Sequence, residues 1–175
     1  MHIRTMLKVA KLVVAILLFV FAAACTGKSV DEYYNSAKSN IDLENYKEAL
    51  ADFELILEKY PNSEYADEAL FEIGKLYHGH AIKEIPKQES LNKAITYYAN
   101  LIATYPEFPE VQKAHFMIGF IQANELNEID NARNTYNDFI NKYPESELTI
   151  SAKAELQNLG VSPEEILKKN RNSED

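Results

Sequence analysis

Apolar side chains fall at helical spacing along most of this chain, and three times the pattern closes in the same way. Ala49/Phe53/Pro61, Ala94/Tyr98/Pro106 and Ala132/Tyr136/Pro144 share the spacing Ala-x3-aromatic-x7-Pro, each ending in Tyr-Pro. An Ala and an aromatic four residues apart lie on one helix face, and a Pro eight residues further on ends the helix. Upstream of each motif runs a second apolar helical pattern with a small residue at its crossing point: Ala37, Gly74 and Gly119. A glycine inside a helix costs about 1 kcal/mol relative to Ala, so two at equivalent places call for a packing reason. Close helix approach supplies it, with the aromatic filling the space beside the small residue. The chain therefore reads as an all-α protein of paired helical repeats, and so as a binding scaffold. A low glycine count, 5, and the lack of alternating Val/Ile/Thr-rich runs argue against a sheet.

These motifs resemble the tetratricopeptide repeat family, whose unit of about 34 residues pairs two antiparallel helices and stacks into a superhelix. The resemblance implies a right-handed α-solenoid of about three helix pairs with a C-terminal capping helix. Unit one runs from about Val30 to Pro61, unit two from about Asp67 to Pro106, and unit three from about Gln112 to Pro144. The units are not identical. From Ala37 to Ala49 is 12 residues but from Gly74 to Ala94 is 20, an eight-residue insertion around Ile82 to Ser90. With Pro86 and several polar residues, that stretch is expected to form a longer loop between paired helices. From Gly119 to Ala132 is 13, one residue more than in unit one. Tyr33, Leu70 and His115 stand where the family usually has Trp, and His115 is the poorest match. A seventh helical pattern, Leu148 to Leu159, is ended by Gly160 and has no full partner, as terminal caps of solenoids do not. Ser162-Pro163-Glu164-Glu165 then carries helix-start signals for a short eighth helix, and the polar tail from Asn170 is expected to be disordered.

The first 24 residues hold no acid, carry Arg4, Lys8 and Lys11, and run apolar from Leu12 to Phe21 before Ala22-Ala23-Ala24-Cys25. This is a secretion signal whose apolar core is short for a membrane span. The sole cysteine follows three small residues, where it resembles the lipidated residue of a bacterial lipoprotein signal, although Ala22 replaces the usual Leu. The alternatives are a plain signal peptide with a chance cysteine, or an uncleaved anchor helix. A free thiol at the start of an exported chain, with no disulfide partner, would otherwise be odd. Lipidation of Cys25 is the covalent modification expected here, and no other cofactor is. Thr26, rather than the Asp that retains many lipoproteins on the inner membrane, implies an outer-membrane location facing the periplasm. The resulting organisation is a signal peptide over 1–24, a lipidated N-terminus and tether over 25–29, a solenoid over 30–160, and a short helix with its tail over 161–175.

Charge and chemistry narrow the function. Residues 25–175 keep all 27 acids and lose the three basic residues of the signal from the total of 18, leaving a formal charge of −12. Nucleic acid is excluded as a partner on that balance, because affinity for it comes from Lys and Arg neutralising phosphates. No phosphate loop, nucleophile elbow or metal-ligand spacing occurs, so no enzyme or metal site is expected. The close pair His78 and His80 would point about 200° apart on a helix and could chelate only if it frayed at Gly79.

In the repeat family the first helix of each pair lines the concave face. Carried over from the small positions, the implied partner groove consists of Tyr34, Lys38 and Ile41 in unit one, Phe71, Lys75 and His78 in unit two, and Lys113, Phe116 and Phe120 in unit three. Leu70, Ile73, Gly74 and Tyr77 already supply the packing face of unit two, leaving Phe71 apolar outside it. Phe71, Phe116 and Phe120 are read either as groove aromatics or as packing against the preceding unit or the terminal helix. The stretches Tyr46 to Glu54 and Tyr60 to Leu70 resemble the lipoprotein family of the outer-membrane β-barrel assembly machinery. That resemblance implies a scaffold for envelope proteins or peptide segments, docking on a β-barrel assembly protein, though that family has about five repeats. The alternative resemblance is to the repeat domain of the Tol-Pal coordinator family, through the Tyr-Pro-x-Ser joints at Tyr60–Ser63 and Tyr143–Ser146. An envelope enzyme or solute-binding lipoprotein finds no support in the residues.

Overall fold

The computed structural model describes residues 27–161 and Glu165; the signal segment, Cys25, the rest of the expected short eighth helix and the tail lie outside those residues. Among the described residues there are seven α-helices and no strand. They are α1 (Val30–Asp42), α2 (Tyr46–Lys59), α3 (Ala66–His78), α4 (Lys87–Thr104), α5 (Val111–Phe120), α6 (Ile129–Lys142) and α7 (Leu148–Asn158). Each helix packs on the next in the chain, so the array is an α-solenoid of three pairs, α1/α2, α3/α4 and α5/α6, closed by α7. No described helix is long and apolar enough to cross a membrane.

Local sequence sets the ends. Ser29 Oγ accepts from the Glu32 amide at 3.2 Å while Glu32 Oε2 accepts from the Ser29 amide at 2.7 Å, a capping box that starts α1. The three second helices stop at Tyr60, Tyr105 and Tyr143, held near φ −130° by the proline that follows each. The joints then repeat one turn: the amides of Ser63, Phe108 and Ser146 donate to the carbonyls of Tyr60, Tyr105 and Tyr143 at 3.0–3.1 Å. Gly160, at φ +79°, follows α7 in the left-handed conformation that closes many helices.

The core is the set of small-against-aromatic crossings that the spacing implies. Ala37, Ala49, Phe53, Ala94, Tyr98, Ala132 and Tyr136 are all buried. A Cβ built on Gly74 would lie 2.5 Å from Tyr98 Cε1, and one on Gly119 would lie 2.7 Å from Tyr136 Cε1. Both glycines are there because a ring occupies the space of their missing methyl. His115, at the family's Trp position, is buried with its ring edge-on to Phe139 and Tyr143, at centroid distances of 5.6 and 5.8 Å.

Two length differences resolve in different ways. The unit-two insertion is not a loop throughout, because α4 begins at Lys87 and takes its last four residues into an extra helical turn. Pro86 sits at the N-cap, a place where its missing N–H costs nothing. Ser90 is fully buried and donates to the Tyr77 carbonyl at 2.6 Å, and Ile82 is buried in the core, so the insertion is packed at both ends. The single extra residue of unit three is absorbed by a π-helical turn, Ile121–Glu125, that continues α5 and closes with Leu126 N donating to Ile121 O at 3.0 Å.

Candidate functional site

The first helices α1, α3 and α5 carry the nine side chains read as a groove, and the structure ties most of them into two clusters. Their i, i+4 spacing puts Tyr34 and Lys38, and Phe71 and Lys75, on one face of their helices.

The first cluster joins α1 to α3. Lys38 Nζ lies 3.3 Å from both Glu68 Oε1 and Glu72 Oε1, and Lys75 Nζ lies 2.8 Å from Glu72 Oε2. Glu72 is buried between the two ammonium groups. Burial alone would lower the Lys38 pKa, but the two carboxylates outweigh it and hold the pKa above its ordinary value. Tyr34 stacks on Tyr65 at 4.3 Å, and burial, reinforced by Glu68, raises its phenol pKa. A cleft of about 360 Å³ opens beside this ladder, lined by Ile41, Tyr46, Glu72, Lys75, Leu76, Gly79, Ala81 and Lys83.

At Phe71 the structure departs from the groove reading. Its ring is 6 % exposed, covered by Tyr98 at 5.9 Å and by Phe108 of the next joint at 6.0 Å. Lys75 and Lys113 stand over it at 5.7 and 5.8 Å from its centroid. Phe71 therefore works as a cation–π seat that links units two and three, and the two lysines form the accessible surface above it.

The second cluster gathers around the π-turn. His78 Nε2 lies 2.8 Å from Glu125 Oε1, and Lys87 Nζ lies 3.1 Å from Glu125 Oε2. Burial would raise the Glu125 pKa, and hydrogen bonds from Lys87 and His78 overcome it and lower it. The half-buried Phe120 ring sits 6.2 Å from His78. With Nε2 committed to Glu125, and with His80 beyond the helix end at φ +48°, the two histidines do not share a helix face. Among the described residues no three His, Cys, Asp or Glu side chains gather as a metal site. Phe116 is half-buried on Tyr136 at 5.6 Å and Phe139 at 6.1 Å, within its own unit and near α7.

Sequence reasoning did not single out Glu68, Glu72, Glu125, Lys87 or Phe108. Glu68 and Glu72 had a legible signal, since they stand three residues before Phe71 and Lys75 on the same helix stripe. Glu125 had none, because the π-turn changes which residues face α3. The face as a whole offers paired charges, exposed Lys75 and Lys113, and half-buried aromatic rings. Such a surface suits contact with another polypeptide.

A family model described as "YfiO: Outer membrane lipoprotein" matches residues 27–161, the full length of the helical array. No curated protein matches the sequence.

Proposed function

The chain belongs to the YfiO family of outer membrane lipoproteins, and from that premise we propose that it is a lipid-anchored scaffold for assembling β-barrel proteins. Acyl chains on Cys25 hold it on the outer membrane facing the periplasm, since more than one chain is needed for stable anchoring. The first-helix face, from Tyr34 and Lys38 through Lys75 to Lys113 and Phe120, takes segments of a β-barrel assembly protein or of its precursors. The observation that carries this reading is the family match across all three helix pairs and the cap. The paired-charge and aromatic face supports it by offering peptide contacts without a catalytic constellation.

The test is crosslinking in intact cells from a photoreactive residue at Lys113, which is exposed where Phe116 is half-buried. Capture of a β-barrel assembly protein or of barrel precursors is expected. Capture of Tol-Pal or peptidoglycan-linked proteins instead would replace this reading with that of an envelope coordinator.

A further inference from the structure

We infer that the end of unit one bearing the Tyr60-Pro61 joint is the surface this chain lays against the phospholipid headgroups of its membrane. The inference rests on the reading of Cys25 as the lipidated residue, and on how the residues after it are fastened.

Lys28 is held three ways. Its carbonyl accepts from the Tyr60 hydroxyl at 2.9 Å, and its ammonium lies 3.7 Å from Asp52 Oδ1. The same ammonium stands 5.4 Å from the centroid of the Tyr33 ring, whose hydroxyl accepts from Lys59 Nζ at 3.1 Å. Ser29 then caps α1. The chain is thus fixed to the solenoid from Lys28 onward, only three peptide links after Cys25. Three links span at most about 11 Å. Helix α1, with 13 residues, is about 20 Å long. An acylated Cys25 at headgroup level therefore keeps the joint end of unit one within reach of the bilayer. The α1–α2 turn at Leu43 lies a helix length from the Lys28 end.

The side chains at that end tolerate the contact. Lys28, Lys59 and Tyr60 combine apolar stems or rings with polar tips, as interfacial residues do. Asp31 accepts from the Tyr65 hydroxyl at 2.7 Å, Asp52 is paired with Lys28, and Glu32 is engaged in the capping box. Glu58 and Glu64 remain exposed, so the short latched tether, rather than net charge, sets the orientation.

The test uses the full acylated chain, in which Cys25 has no free thiol, with a fluorophore on Asn62→Cys or on Leu43→Cys. Both sites are exposed. The proteins are reconstituted in phosphatidylethanolamine–phosphatidylglycerol vesicles containing a headgroup-nitroxide lipid. Several-fold stronger quenching at position 62 than at 43 is expected, and ten Gly/Ser residues inserted between Thr26 and Gly27 should abolish the contrast. Equal or reversed quenching, with mass spectrometry showing an acylated Cys25, overturns this inference alone. A contrast that survives the insertion overturns the tether as its cause. A Cys25 without acyl chains overturns both the inference and the reading beneath it.

Discussion

Gly119→Ala sets two effects of known sign against each other. Replacing a helical glycine by Ala should stabilise by about 1 kcal/mol through backbone entropy. Yet the new methyl would lie 2.7, 2.9 and 3.0 Å from Cε1, Cδ1 and Cζ of Tyr136. That ring is fully buried and is flanked by Phe116, 5.6 Å away, so it has little room to swing. Overpacking of this kind costs about 1–3 kcal/mol. The balance is a net loss of about 1 kcal/mol, or about 3 °C in Tm for a domain of this size. Thermal unfolding of Gly119→Ala in the native background and in a Tyr136→Leu background measures it. Tyr136→Leu will itself be destabilising, but it removes the ring, so Gly119→Ala should there raise Tm. A rise in the native background, or the same shift in both, would refute the claim that the ring selects the glycine.

Three further substitutions probe other contacts of the array. Ser90→Ala should cost about 0.5–1.5 kcal/mol in denaturant unfolding; the Tyr77 carbonyl keeps its bond from the His80 amide, which limits the loss. Burial, with Lys142 adding to it and Asp138 opposing, lowers the His115 pKa below its ordinary value of 6.5. The unfolded chain therefore takes up the proton first, and stability is lost as pH falls through 6.5 toward the folded value. Since His115 Nδ1 is buried without a partner, His115→Phe should raise Tm, by a margin that grows between pH 7.5 and 5.5; a pH-independent margin would contradict this. Tyr105→Phe deletes a 2.6 Å hydrogen bond from the phenol to the Pro61 carbonyl that joins successive units. It should cost about 0.5–1 kcal/mol by urea titration, because the bond is exposed.

The helix pairs were legible because each is specified locally. Ala and aromatic spacing, a small crossing residue and a closing Tyr-Pro are all readable within one unit, and Gly74 and Gly119 even revealed which ring they face. Contacts between units were harder to read. Phe71 looked free because its own helix already had a packing face, and its cover, Phe108, comes from a joint 37 residues further along the chain. The insertion looked like a loop because Pro86 and its polar neighbours are equally good at starting a helix, and only the buried Ser90 and Ile82 tell the two apart. One extra residue in unit three was visible as a number, but its resolution into a π-turn depends on tertiary packing. That turn brings Glu125 to His78, a pairing that no sequence spacing announces.

Depletion of this lipoprotein in its own cells tests the proposed role in assembling outer-membrane β-barrels. The quantity to measure is the folded fraction of barrel proteins in the outer membrane, read from the heat-dependent shift of folded barrels on gels. A fall in folded barrels with accumulation of unfolded precursors is expected, restored by the native chain and not by a Cys25→Ser variant that cannot be acylated. An unchanged folded fraction on depletion would contradict the proposed role.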